Sequence, residues 1–371
     1  MLDIALILLA AGNSTRMELE TKKQWLRTKH EPLWLYCAKN FKKMYKFKKI
    51  MIVANKNEIK FMRQICDDFE FVCGGDERQV SLQNALNLVD TEFVMVSDVV
   101  RVYVNKNVVL DMIENAFKFD SISPYIGVYD TTYLGLDAVN RDEIKLIQTP
   151  QLSKTKLLKK ALKSGKKFTD DSMAIKSVGG SLGFIKGDKR AFKITTKDDL
   201  KMLNLQPPSS EIFTGNGFDV HKFQDGDGLI LCGIKVPCEY KFIAHSDGDV
   251  AIHALIDAIL GACMMGDIGE LYPDTNDEFK GIDSKILLKN TLKLIKNLGY
   301  TLVNVDITII AQTPKLQNYK HQMRQNLVEI LGIERVNVKA TTTEKLGFVG
   351  RSEGIAVMAS ASARYFDWMD V

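Results

Sequence analysis

Ile4-Ala5-Leu6-Ile7-Leu8-Leu9-Ala10-Ala11 runs directly into Gly12-Asn13-Ser14-Thr15-Arg16, and how this stretch is read decides the fold. The apolar run is too short to span a bilayer, no basic residue precedes it, and a small-residue loop follows at once. It therefore reads as a buried strand entering a loop, not as a secretory leader. Similar apolar runs recur at Ile50 to Val53, Phe93 to Val96 and Ile122 to Val128. Helical patterns lie between them, over Leu33 to Phe41, Glu58 to Asp68, Gln79 to Leu88 and Val108 to Phe119. This alternation predicts an α/β unit with a mostly parallel, Rossmann-like sheet covered on both faces. Ligands of such sheets bind beyond the carboxyl ends of the strands.

The alternation breaks at Leu205-Gln206-Pro207-Pro208-Ser209-Ser210, where prolines and serines disfavour helix and strand alike. We expect a first domain over 1–205, a linker over 206–211 and a second domain over 212–371. Cutting within the linker is expected to give two separately folding, active pieces. The second domain reads as α+β, with strands near Ile212 to Val220, Leu229 to Val236, Asn304 to Ile310 and Val336 to Thr342. Its helices begin near Asp249, Asp283 and Tyr319.

Two places carry chemistry. The loop Gly12-Asn13-Ser14-Thr15-Arg16 lets backbone N–H groups and a cation approach a polyphosphate, and Lys22-Lys23 adds further charge. It has neither a Gly-Lys-Ser/Thr ending nor the three spaced glycines of a dinucleotide fingerprint, and on spacing alone it reads equally well as an ordinary β–α turn. In the second half, Asp219-Val220-His221 and the distant His253 supply a carboxylate and two imidazoles. Three protein ligands leave a tetrahedral metal one open position, as a catalytic zinc requires. Asp249, His253 and Asp257 share a helix face, so Asp249 reads either as a carboxylate orienting His253 or as a helix N-terminal acid.

The chain's 371 residues suffice for two full cores, and its net charge of +4, with both signs scattered, implies neither nucleic acid nor membrane. Six cysteines without C-x-x-C spacing are expected to be reduced, mostly buried thiols in a cytoplasmic protein.

Gly217-Phe218-Asp219-Val220-His221, Ala244-His245-Ser246-Asp247-Gly248-Asp249, Gly266-Asp267-Ile268-Gly269, Tyr272-Pro273-Asp274-Thr275 and Ala340-Thr341-Thr342-Thr343-Glu344-Lys345-Leu346-Gly347-Phe348 resemble the 2-C-methyl-D-erythritol 2,4-cyclodiphosphate synthase family from about Ile212 onward. The resemblance implies that Asp219, His221 and His253 bind zinc or another divalent cation, and that His245 and Thr342 support the transition state. It further implies a second divalent ion near Glu344 and a cytosine pocket at Ala311, Pro314 and Lys315. Ser246, Asp267, Asp274, Phe348 and Arg351 would meet the substrate, with Asp267 on the erythritol hydroxyls. Homotrimers with sites between subunits follow by the same analogy.

Residues 1 to 203 resemble 2-C-methyl-D-erythritol 4-phosphate cytidylyltransferase through the first loop, Gly74-Gly75-Asp76-Glu77-Arg78-Gln79-Val80-Ser81, Ser97-Asp98-Val99-Val100-Arg101 and Gln148-Thr149-Pro150-Gln151. That likeness implies a fold that binds CTP with Mg²⁺, in which Arg16 and Lys23 stabilise the phosphate transition state. Arg141 and Lys193 would position methylerythritol phosphate, joined by Asp98, Arg101 and Thr131, while Gly12, Asp76 and Ser81 would meet the nucleotide. Ser14 and Lys22 stand where that family usually has Gly and Pro, which leaves Asn13 as the expected left-handed residue. The two reactions are not consecutive, so a separate kinase, with or without physical association, must act between them. Two rivals remain: transfer to another sugar phosphate, and a second half that is a zinc-stabilised trimerisation module. An open coordination position disfavours the latter.

Overall fold

The computed structural model describes residues 2–244, 246–273, 275, 276 and 279–371; the expectations for His245 and Asp274 lie outside them. The chain divides into one unit of Met1–Pro207 with Trp368–Val371 and a second of Pro208–Asp367.

In the first unit, strands β1 (Ile4–Leu9), β2 (Lys49–Ala54), β3 (Glu70–Cys73) and β4 (Phe93–Asp98) lie parallel in the order β3-β2-β1-β4. Beyond β4 the sheet becomes mixed: β5 (Ser121–Gly127) is separated from β4 by the antiparallel β7 (Gln151–Lys154), and β6 (Lys145–Ile147) pairs antiparallel with β5. Strand β8 (Leu182–Lys186) joins β5 in parallel. The crossover helices are α1 (Leu33–Met44), α2 (Lys56–Ile65), α3 (Arg78–Leu86) and α4 (Lys106–Glu114), followed by α5 (Thr155–Leu162) and α6 (Asp171–Ser177). Ile7, Val53, Val94 and Val96 meet Leu82, Leu86, Leu158 and Ile175 in one buried layer. Trp34 and Phe41 of α1 are also fully buried. Because β1 connects to β2 on one side and is flanked by β4 on the other, a crevice opens where their ends meet, with Leu9 paired to Asp98.

The second unit is a five-stranded sheet in the order β12 (Tyr240–Phe242), β9 (Phe213–Asp225), β15 (Gly354–Tyr365), β13 (Tyr300–Ile310), β14 (Val336–Thr341). Its longer helices are α7 (Val250–Ala262), α8 (Ser284–Asn297) and α9 (Lys320–Leu331). Along β9 the alternate residues Gly215, Gly217, Asp219, His221 and Phe223 turn inward, while Thr214, Asn216, Phe218, Val220 and Lys222 are exposed. A Cβ on Gly217 would collide with the Ala254 carbonyl, and one on Gly215 with Ala258. The glycines thus let α7 lie directly on the strand that carries Asp219 and His221.

Two expectations change here, and one strand appears that was not expected. Leu229 to Val236 is not one strand but a hairpin of β10 (Leu229–Leu231) and β11 (Ile234–Val236), turned at the left-handed Cys232 and Gly233. The unexpected strand is β15, whose second half carries little strand signal because its inward Ala359, Ala361 and Ala363 are small. The second domain does not hold its expected last residues either, since the Trp368 indole is buried and donates to the Arg27 carbonyl at 2.6 Å within the first unit. Of six free cysteines, only Cys37, Cys232 and Cys263 are buried. No helix among the described residues is long and apolar enough to cross a membrane.

Candidate active sites

A cavity of about 420 Å³ occupies the crevice beyond β1 and β4. It is lined by Gly12, Arg16, Lys23, Asp76, Ser81, Asp98 and Lys193, so the structure gathers seven expected residues of the first unit in one place. Asp98 ends β4 and pairs with Lys193 at 2.9 Å. Burial pushes the Asp98 carboxyl up, but Lys193, Arg78 and Arg101 more than offset it and hold the group below its usual range. Lys23 hydrogen-bonds the Ile194 carbonyl at 3.2 Å. Burial, with Lys193 and Arg16 nearby, lowers its ammonium to about 8 although Asp98 pulls the other way. Ser81 receives the Gly75 N–H at 3.0 Å and donates to the Gly75 carbonyl, fixing the second glycine loop against α3.

The expected left-handed residue is misplaced. Ser14, not Asn13, takes φ 59°, and its Oγ accepts the Lys23 N–H at 3.0 Å. The serine adopts the backbone a glycine would take and adds a hydrogen bond that glycine cannot make. Three other expected residues are not on the cavity wall. Arg101 points its Nη1 to the Ala191 carbonyl at 2.7 Å. Thr131 and Arg141 flank an exposed hairpin (Thr132–Leu134 and Asp137–Val139), where Arg141 donates to the Tyr129 carbonyl.

Arg78, to which the family resemblance gives no role, also lines the cavity and pairs with the buried Asp171 of α6 at 3.0 Å. The signal was the Asp170-Asp171 pair, which reads from sequence only as a helix start.

In the second unit, Asp219, His221 and His253 present ligand atoms that all lie within 4.8 Å of one another. His221 Nε2 and His253 Nδ1 both face Asp219 Oδ2, at 3.1 and 3.4 Å. Burial favours the neutral Asp219, but the two imidazoles outweigh it and hold the carboxyl well below its usual range. Nδ1 of His221 lies 2.9 Å from the Gly248 carbonyl, an acceptor only, which leaves Nε2 as the lone-pair nitrogen facing the triad. Nε2 of His253 meets Ser246 Oγ and Ser284 Oγ at 3.2 and 3.0 Å, and Ser284 donates to Asp247 at 2.5 Å.

The orienting carboxylate for His253 is therefore Asp247, acting through Ser284, and not Asp249. Asp249 is fully buried as the N-cap of α7, receiving the N–H groups of Ala251, Ile252, Cys232 and Gly233. Asp257 is held by the Ile268 N–H and does not reach His253 in any bond of the described residues.

The triad opens into a cavity of about 350 Å³ that also touches Ser246, Asp257, Ile268 and Gly269. Asp267 caps the single turn Ile268–Leu271, whose Ile268 and Gly269 line the cavity. The remaining expected residues sit elsewhere on the sheet. Asp219 pairs with Val357, Val357 with Ile309, and Ile309 with Ala340. Three strand spacings of about 4.8 Å therefore separate the triad's row from the start of Thr341-Thr342, roughly 14 Å. At that far edge Ala311 bonds Thr341, Thr342 donates to Glu344 at 2.8 Å, and Gln312 receives the Lys345 N–H. Pro314 and Lys315 follow in the same loop; Phe348 is partly exposed, and Arg351 pairs with Glu353 at 2.7 Å.

A cation-rich crevice at a sheet switch point and a separate carboxylate–imidazole triad make this a two-site enzyme of phosphate chemistry. Residues 4–205 match the 2-C-methyl-D-erythritol 4-phosphate cytidylyltransferase family and residues 212–364 the YgbB family. A bifunctional enzyme IspD/IspF of Campylobacter fetus subsp. fetus is 54% identical over 100% of both chains, and that of Campylobacter hominis 55% identical over 99% of each. The solved structure of the bifunctional IspDF from Campylobacter jejuni, 52% identical, covers 99% of this chain and 100% of its own with a TM-score of 0.91. The chain belongs to the bifunctional IspD/IspF family: its first unit is a cytidylyltransferase and its second a cyclodiphosphate synthase of isoprenoid precursor synthesis.

Proposed function

We propose that the first cavity binds CTP, with Mg²⁺, and 2-C-methyl-D-erythritol 4-phosphate, and that Arg16 and Lys23 stabilise the charge that gathers on the pentacoordinate α-phosphorus. Gly12, Asp76 and Ser81 serve the nucleotide; Asp98, Arg101 and Lys193 serve the acceptor phosphate. A part for Thr131 and Arg141 requires their hairpin to close on this cavity or to serve one in another copy. The observation carrying this reading is the pairing of Lys23 and Lys193 around Asp98 on the cavity wall.

In the second unit, Asp219, His221 and His253 suit zinc or another divalent cation, because a carboxylate and two oriented imidazoles converge and leave room for substrate. Bound there, the ion supplies Lewis acidity towards a diphosphate oxygen. Ser246, Asp267 and Asp274 hold the erythritol and phosphate groups of 4-CDP-2-C-methyl-D-erythritol 2-phosphate, which cyclises with loss of CMP. His245 and Thr342 support the transition state, and Ala311, Pro314 and Lys315 receive the cytosine. Glu344 holds a second divalent ion, with Phe348 and Arg351 near the diphosphate. A separate kinase supplies the 2-phosphate, and the protein works in the cytoplasm.

The separation of the triad from Thr342 across the sheet favours a homotrimer whose sites each combine the triad edge of one subunit with the Thr342 edge of the next. Co-expressing two inactive full-length variants, His253→Ala and Thr342→Ala, tests this. Random assortment restores one intact site in four, so cyclisation should return to about a quarter of the wild-type rate. Mixed assemblies as inactive as either parent would rule out the shared site.

A further inference from the structure

Lys22, the residue where the cytidylyltransferase family usually has proline, has φ −72° and ψ 136°. That φ is the one a proline ring would impose. The side chain is anchored as well: Lys22 Nζ lies 2.6 Å from Glu58 Oε1 and reaches Asn13 Oδ1 at 3.5 Å. Glu58, in the first turn of α2, does not face solvent as an acid at a helix N-terminus ordinarily would. Its side chain is 5% exposed and that of Lys22 only 15%, so water screens this pair far less than it screens a surface one.

The other Glu58 oxygen, Oε2, accepts the Trp25 indole N–H at 2.6 Å and the Gln24 amide at 3.3 Å. Gln24 is itself buried, and the same amide nitrogen donates to the Gly12 carbonyl at 3.1 Å. One carboxylate therefore grips the side chains on either side of Lys23 and, through Gln24, the start of the phosphate loop. From above, Ser14 Oγ holds the Lys23 N–H. Both anchors flank Lys23, which lines the cavity.

We propose that Glu58 is a positioning residue for cytidylyl transfer: its clamp on Lys22, Gln24 and Trp25 presents Lys23 to the phosphates, and the Lys22–Glu58 pair does the stiffening a proline would do. This rests on the reading of Lys23 as a transition-state cation, which Lys23→Ala tests by itself. If Lys23→Ala keeps its rate, that reading fails; if Lys23→Ala is crippled and Glu58→Gln is not, only the present inference fails.

The experiment measures pyrophosphate release by full-length Glu58→Gln, Lys22→Met and the double variant Lys22→Pro/Glu58→Gln, with cyclisation assayed in the same samples. Both single variants should lose at least about tenfold in kcat while KM for CTP stays within about threefold, because a misaimed cation fails chiefly in the transition state. The double variant should recover to within about threefold of wild type, since proline fixes the backbone without needing the carboxylate. A clamp that merely holds the fold together would lower kcat and leave the proline without effect. A Glu58→Gln kcat close to wild type, or a double variant as slow as the singles, would overturn the proposal.

Discussion

Lys23 sits half-buried among Arg16, Lys193 and Asp98, and desolvation together with the two cations brings its ammonium down to about 8. A lysine with a lowered pKa is charged below that value and loses its charge above it. The rate constant kcat/KM reports groups on the free enzyme. For pyrophosphate release it should therefore fall as pH rises through about 8, and Lys23→Arg should remove that limb because a guanidinium keeps its charge. A wild-type profile flat to about pH 9.5 would show that Lys23 contributes no titrating charge to the step. Sequence alone locates this lysine but not its environment: Lys193 lies far away in the chain, and only the end of β4 brings Asp98 between them. The same limit explains Asp249, whose helix-face spacing to His253 is real, but whose carboxylate is spent on four N–H groups.

At the scale of elements, periodicity exposes what is strongly amphipathic or wholly apolar. The first strand, the four crossover helices and the helix starts at Asp249, Asp283 and Tyr319 all appear, though α2 and α4 begin two residues earlier and end three and five residues earlier than their patterns suggest. Strand β15 shows a strand signal only at its start, where Ile355 and Val357 face inward; its later inward positions, Ala359, Ala361 and Ala363, carry small residues of low strand preference. Gly215 and Gly217 are the complementary signal on β9: inside a strand pattern they mark close backbone approach, and a helix does lie there. Motif resemblance supplies the expected site residues and the expectation of sites shared between subunits; the structure adds the strand order, which sets the expected Thr342 group apart from the triad within one chain. Only the ladder from Asp219 through Val357 and Ile309 to Ala340 puts numbers on that gap.

At the scale of the whole molecule, the two-unit division falls between Pro207 and Pro208, but the last four residues complicate the expected independence of the halves. The buried Trp368 bonds the carbonyl of Arg27, four residues beyond Lys23. The chain truncated after Asp367 should lose about 3 kcal/mol of first-unit stability, the order expected for removing a buried indole. Thermal unfolding followed alongside both activities would show an earlier first transition and weaker pyrophosphate release, with cyclisation unchanged. Unaltered melting would mean the tail is ornamental.

One chain holding two separately built sites for two phosphate reactions makes a sharp prediction. The decisive measurement is a crossed assay of full-length Lys23→Ala and His253→Ala proteins, following pyrophosphate release from CTP and CMP release from the cyclisation substrate, with bound zinc measured in each. Lys23→Ala should lose about 100-fold or more in the first reaction while keeping the second and its metal; His253→Ala should lose cyclisation and zinc while keeping the first. Loss of both activities in either variant, with the protein folded, would contradict the account.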